Sequence, residues 1–184
     1  VTTTGGTFTY DGQPHGATVE VSELPEGYTL QTAESDATAT DVTTEAVTAD
    51  ADRLVIVNAA GVDVTANLKI TRVTGEIVVK PATVTVTTPN ASKVYDGTPL
   101  TAAGTITGLV NGETVSFATT GTITNVGTAT NSYSLVWNQT AKETNYTVSE
   151  NLGTLTVTAP TNNNPSVTPT PPATPSDNPG VLDR

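Results

Sequence analysis

"KVYDGTPLT" (Lys93–Thr101) repeats the pattern of "TYDGQPHG" (Thr9–Gly16). Tyr, Asp, Gly and a Pro two residues further on stand at the same spacing in both, 85 residues apart. Asp followed by Gly is turn chemistry: the Asp carboxylate accepts from the backbone ahead of it, and Gly takes positive φ without a steric penalty. The Pro fixes φ for the chain leaving the turn. A Tyr placed just before can bury its ring while its hydroxyl reaches a polar partner. Tyr10, Asp11 and Gly12, like Tyr95, Asp96 and Gly97, are therefore read as structural turns. Tyr10 and Tyr95 are expected in equivalent, largely buried places. An active-site loop would need a catalytic partner near Asp11 and Asp96, and the sequence offers neither one.

The likeness extends beyond the turn. "VTTTGGTFTYDGQP" (Val1–Pro14) lies without a gap over "VTTPNASKVYDGTP" (Val86–Pro99). Further on, "TANLKITRVTGEIVV" (Thr65–Val79) lies over "ETNYTVSENLGTLTV" (Glu143–Val157) at a shift of 78, so Asn67 meets Asn145 and Gly75 meets Gly153. The second copy is shorter by seven residues, a loss expected in its middle, where loops absorb it at little cost. The 184 residues divide into a first module at 1–81, a second at 82–159 and a tail at 160–184.

Composition sets the fold class. Thr fills 41 positions, Met and Cys are absent, and aromatics make up only 4%. Thr and Val suit a pleated, half-buried surface, whereas long helices want Ala, Leu, Glu, Lys and Arg. The chain is mainly β: two tandem small β-rich modules, each expected to hold its own thin core, followed by an extended Pro/Thr-rich tail. Period-two patterning places strands at "ATVEVS", "RLVIVN" and "EIVVK" in the first module. It places others at "ATVTVTT", "ETVSFAT", "SYSLVWN" and "GTLTVTA" in the second. The acidic stretch Thr32–Asp52 lacks a helical stripe and reads as loop, or one turn at most. From Pro160 the chain holds seven of its 12 prolines and no aromatic, the composition of a polyproline-like linker or stalk.

Net charge is −11, with 12 acidic against four basic residues in the first module. Such a surface repels nucleic-acid phosphates and anionic lipid. Without Cys there is no disulfide, thiol nucleophile or Cys-ligated zinc. No stretch has the run of apolar residues that a membrane span needs, and no signal peptide is recognisable, so direct membrane insertion is not expected. His15 is the only histidine. No G-x-S-x-G motif accompanies it, so the chain is read as non-catalytic and without a cofactor. Asp50, Asp52 and Asp63 are oxygen donors for which Ca²⁺ is the one metal to weigh, although EF-hand spacing is missing and a solvated acidic loop accounts for them. Tyr133 and Trp137 alternate on one strand; exposed they would form a sugar-stacking platform, buried they are core. Asn138-Gln-Thr and Asn145-Tyr-Thr match the glycosylation sequon, a match expected by chance in Thr-rich sequence.

"KVYDGTPLTAAGTITGLVNGETVSF", "GTITNVGTATNSY" and "NYTVSENLGTLTVT" together resemble the YDG/MBG ("mostly β-grasp") repeats found in tandem in bacterial surface adhesins. The resemblance covers nearly all of residues 82–159. "YDGQPHGATVEV" and "DVTANLKITRVTGEIVV" carry it more loosely into the first module, whose acidic middle departs from the pattern. It implies a β-grasp-like or Ig-like sandwich fold and an extracellular, wall-attached or outer-surface location. It also implies neighbouring repeats of the same chain as partners, with host glycan or matrix protein as the alternative, and it implies no catalytic residues. Some surface-adhesin domains join a Lys near the first strand to an Asn near the last beside a buried carboxylate. Lys93, Asn145 or Asn151, and Glu113 are the trio available for such a bond, and Phe8 at the position matching Lys93 confines it to the second module.

Overall fold

A computed structural model describes residues 1–161, so all but the first two residues of the expected tail at 160–184 lie outside the described residues. The first half contains β1 (Thr2–Thr4), β2 (Gly6–Thr9), β3 (His15–Gly16), β4 (Thr18–Glu20), β5 (Tyr28–Glu34), β6 (Thr38–Ala39), β7 (Val47–Ala49), β8 (Arg53–Asn58) and β9 (Gly75–Lys80). The second contains β10 (Ala82–Thr87), β11 (Ala91–Val94), β12 (Thr105–Thr107), β13 (Ser116–Thr119), β14 (Gly127–Thr130), β15 (Tyr133–Val136), β16 (Tyr146–Asn151) and β17 (Thr154–Thr158). The helical pieces among the described residues are two 3₁₀ turns, Thr65–Asn67 and Glu143–Asn145, which fall at the aligned asparagines. The fold is mainly β.

β-branched residues alternate across these strands as period two requires. In β10, Val84 and Val86 are fully buried while Thr83 and Thr87 face outward. Ile77 and Val79 of β9, and Leu155 and Val157 of β17, are likewise buried. Each of these two strands lies parallel to one near the start of its half: Gly6–Thr9 against Ile77–Lys80, and Ala91–Val94 against Leu155–Thr158.

Pairing repeats residue by residue. Thr2↔Glu20 becomes Thr87↔Thr105, and the bridge Thr2↔Val73 becomes Thr87↔Asn151. His15↔Ala39 becomes Leu100↔Ile123, and Val47↔Ile77 becomes Ala129↔Leu155. The shift between halves is 85 at His15, 84 at Ala39, 82 at Val47 and 78 at Ile77. The seven-residue change in shift is thus spread over several loops rather than one. The acidic stretch corrects another expectation: it contributes the end of β5 together with β6 and β7, and β7 pairs with β9. Its strands are too short to display a period in sequence.

The Tyr-Asp-Gly turns have the same geometry twice. Asp11 and Asp96 each accept, through Oδ1, the backbone N–H two residues ahead at 2.9 Å. Gly12 and Gly97 stand at φ +75° and +80°. Space around them differs: a Cβ on Gly12 would sit 2.7 Å from Asn111 Cβ, whereas one on Gly97 meets nothing within 4 Å. Gly97→Val is therefore expected to destabilise by about 1–3 kcal/mol through backbone strain alone. Gly12→Val should lose more, because Asn111 must also move. Paired thermal melts check the order.

Ile56 and Ile77 are buried in the first half and Val86, Leu155 and Val157 in the second, and a further buried cluster crosses between the halves. Strand pairing divides at Pro81, but one cluster of buried side chains joins Tyr10 and Val79 to Ala82, Val84, Ala141 and Tyr146. Val42 from one side, and Leu109, Val115 and Trp137 from the other, pack around it.

Candidate functional site

The densest polar chemistry in the described residues lies at this junction. β9 ends at Lys80, whose carbonyl accepts from Tyr10 N–H at 2.8 Å, and after Pro81 the chain runs straight into β10. That places the Tyr10 ring edge-on to Tyr146, with centroids 5.5 Å apart, and Trp137 stacks on Tyr146, also at 5.5 Å. Glu113 follows the turn at Asn111-Gly112, where φ is positive at both residues. Tyr10 donates to Glu113 Oε1 at 2.5 Å and Tyr146 donates to Oε2 at 2.6 Å. One carboxylate therefore clamps two buried tyrosines, one from each half.

A second clamp lies beside it. Asn145 is fully buried; its Oδ1 accepts from Val42 N–H at 2.9 Å and its Nδ2 donates to Asp41 Oδ1 at 2.8 Å. Lys142 donates to Asp41 Oδ2 at 2.6 Å. The Lys142 ammonium first, and the Asn145 amide with it, hold the Asp41 carboxyl below the usual range. At the rim, Gln13 donates to Asn111 Oδ1 at 3.3 Å.

Burial, reinforced by the bond to Glu113, pushes the Tyr10 and Tyr146 hydroxyls up to about 12. The neutral phenol is thus favoured in the folded state. Below pH 10 both states hold the proton and this contribution is fully present; between about pH 10 and 12 the unfolded chain ionises first, and stability falls. Stability is expected to fall across that window. Denaturant melts at pH 9 and pH 12, repeated on Tyr10→Phe, check it: the variant should show a shallower decline.

Tyr95 departs from its expected place. It keeps the matching backbone bond, N–H to Thr158 O at 2.8 Å, yet its side chain is 42% exposed against 4% for Tyr10. The cause is position: Tyr10 is covered by the second half, and among the described residues Tyr95 has no comparable cover. Trp137 lies in the junction packing, while Tyr133 packs on Phe117 and donates to Glu150. The two aromatics do not form one exposed platform.

The cross-link trio is held apart by separate partners. Lys93 donates to Asp96 and to Thr98 Oγ1, each at 2.7 Å, and holds the Asp96 carboxyl well below its ordinary range. Glu113 faces the tyrosines, Asn145 faces Asp41, and Asn151 lies exposed at the end of β16. In the first half Phe8 stacks on His15 instead, with centroids 4.1 Å apart, and His15 Nε2 lies 3.0 Å from Asp11 Oδ1. Of the oxygen donors weighed for Ca²⁺, Asp50 accepts from Ala51 N–H and Arg72, Asp52 from Ser35 and Asp36 N–H, and Asp63 from Thr65. Among the described residues no three acidic or histidine side chains converge on a metal position. No helix among them is long and apolar enough to cross a membrane.

Asp41 and Lys142 escaped the sequence reading, as did the clamping role of Glu113. The alignment of Asn67 with Asn145 was the one available signal. Residues 84–156 match the MBG domain (YGX type), and an MBG domain is found there. No curated protein and no solved structure matches the chain.

Proposed function

We propose, with the MBG domain at residues 84–156 as premise, that this domain is the second of two tandem copies of one β unit, at 1–81 and 82–159. The pair serves as a non-catalytic stalk or spacer of a bacterial surface adhesin, outside the cell, and presents a distal adhesive region. The observation that carries this reading is the junction. Across the two halves Tyr10 bonds Glu113, and Lys142 and Asn145 bond Asp41, while Tyr146 holds the same Glu113 carboxylate from its own half. A chain that commits its polar chemistry to joining its own units adds length and alignment rather than a binding surface. Recurrence of the same strand registers supports the two-copy reading.

Direct binding of host glycan or matrix protein is the alternative, and its platform would be Tyr133 and Trp137. Packing of Trp137 against Tyr146 speaks against it. The test is a glycan and matrix-protein array probed with the full chain. No ligand of micromolar or tighter affinity is expected. A defined glycan bound that tightly, and lost in a still-folded Trp137→Ala variant, would overturn the spacer reading.

A further inference from the structure

The opening and closing strands of the second half run side by side and parallel. Ala82–Thr87 of β10 pairs with Tyr146–Asn151 of β16, and Ala91–Val94 of β11 pairs with Leu155–Thr158 of β17. The chain passes from one sheet to another between Thr87 and Ala91, and again between Asn151 and Thr154. Side chains keep the seam closed at that step: Gly153 N–H donates to Thr88 Oγ1 at 3.0 Å, and Thr154 N–H donates to Asn90 Oδ1 at 2.7 Å. Backbone bonds stand on either side, from Thr88 N–H to Asn151 O at 3.0 Å and from Tyr95 N–H to Thr158 O at 2.8 Å. The seam is thus continuous from Ala82 to Tyr95. Its counterpart in the first half is Gly6–Thr9 on Ile77–Lys80, preceded by the bridge Thr2↔Val73. Thr3, which matches Thr88, keeps the backbone bond to Val73, but its buried Oγ1 has no hydrogen-bond partner among the described residues. Gly5 stands where Asn90 would be and offers no side-chain acceptor.

We infer that this seam is load-bearing, the element by which the second half withstands tension drawn along the chain. The inference rests on the spacer reading above and adds what such a spacer resists. Tension reaches the second half through Pro81, at the start of β10, and passes on beyond Thr158, at the end of β17. Because the strands are parallel, those two points lie at opposite ends of the seam. The pull slides the strands lengthwise, so all the bonds share the load and none opens ahead of the rest. A pull across two paired residues at one end opens the same bonds in turn, each bearing the whole force. The bonds are identical in the two cases and only the direction of loading differs. Forced unfolding is governed by the barrier to opening rather than by equilibrium stability, so direction decides the outcome. The side-chain bonds at Thr88 and Asn90 carry the seam across the step between sheets, which the first half leaves open.

Single-molecule force spectroscopy on the full chain tests it. The absence of native cysteine allows thiol-linked handles to be placed at chosen pairs. Thr83, Thr147 and Thr158 are exposed, and Thr83 is the register partner of Thr147. Thr83→Cys with Thr158→Cys loads the seam lengthwise, whereas Thr83→Cys with Thr147→Cys peels it from one end. At equal pulling speed the lengthwise pair is expected to rupture at a force at least about twofold higher. Asn90→Ala, added to each pair, should lower the lengthwise force and leave the peeling force unchanged, whereas a general loss of stability would lower both. Equal rupture forces in the two geometries would overturn the load-bearing seam. A lengthwise force unmoved by Asn90→Ala would overturn the part given to the bond at the step between sheets. Either result would leave the spacer reading standing, since the ligand array tests that separately.

Discussion

Tyr10→Ala is expected to destabilise the chain by about 3–5 kcal/mol, the range for deleting a buried aromatic ring. Tyr95→Ala, the same change at the matching position, should cost less than about 1 kcal/mol, as for an exposed residue. Sequence treats the two tyrosines as equals, so the contrast is a property of the junction. Tyr10 fills the cluster between the halves, and its loss would also leave Glu113 with one of its two phenol donors. Tyr95 touches no such cluster and only its backbone bond to Thr158 would remain, unchanged. Urea melts of the two variants decide it, and equal losses would refute the junction as a buried core.

Gly153→Ala should be nearly as damaging, by about 3 kcal/mol. A Cβ at Gly153 would stand 2.2 Å from the carbonyl carbon of Pro89 and 2.3 Å from its oxygen. Those are backbone atoms, so no side chain can swing aside. Gly75 shows the same crowding in the first half, with Gly5 N at 2.6 Å and Thr3 O at 2.7 Å. Here glycine serves the close approach of two chain segments, and positive φ plays no part. Gly112→Ala, where nothing lies within 4 Å of the added atom, provides the comparison for strain without crowding. A melting temperature unchanged in Gly153→Ala would show that the segments part more easily than the packing implies.

Much of this fold was legible in the sequence because its cause is local. Asp-Gly announces its turn, Val84 and Val86 alternate with Thr, and Gly75 and Gly153 align because the same crossing occurs twice. What escaped is contact between distant segments. Nothing near Glu113 in sequence indicates that its partners are Tyr10 and Tyr146, and Asp41 lies more than a hundred residues from Asn145. β7 went unread because a three-residue strand has no visible period and owes its existence to β9 beside it. Tyr95 was misjudged for a related reason: burial at the turn depends on what the neighbouring unit covers, and a motif carries no information about its neighbour.

The claim on which the rest depends is that the two halves form one stiff joint rather than two beads on a flexible link. Residual dipolar couplings, measured on backbone amides of both halves in one aligning medium, test it most directly. Glu113, Asn145 and Lys142 bridging to Tyr10, Val42 and Asp41 predict a single alignment tensor, equal in magnitude and orientation for residues 2–80 and 82–158. Two tensors of different magnitude would mean that the halves reorient independently, and would contradict the account.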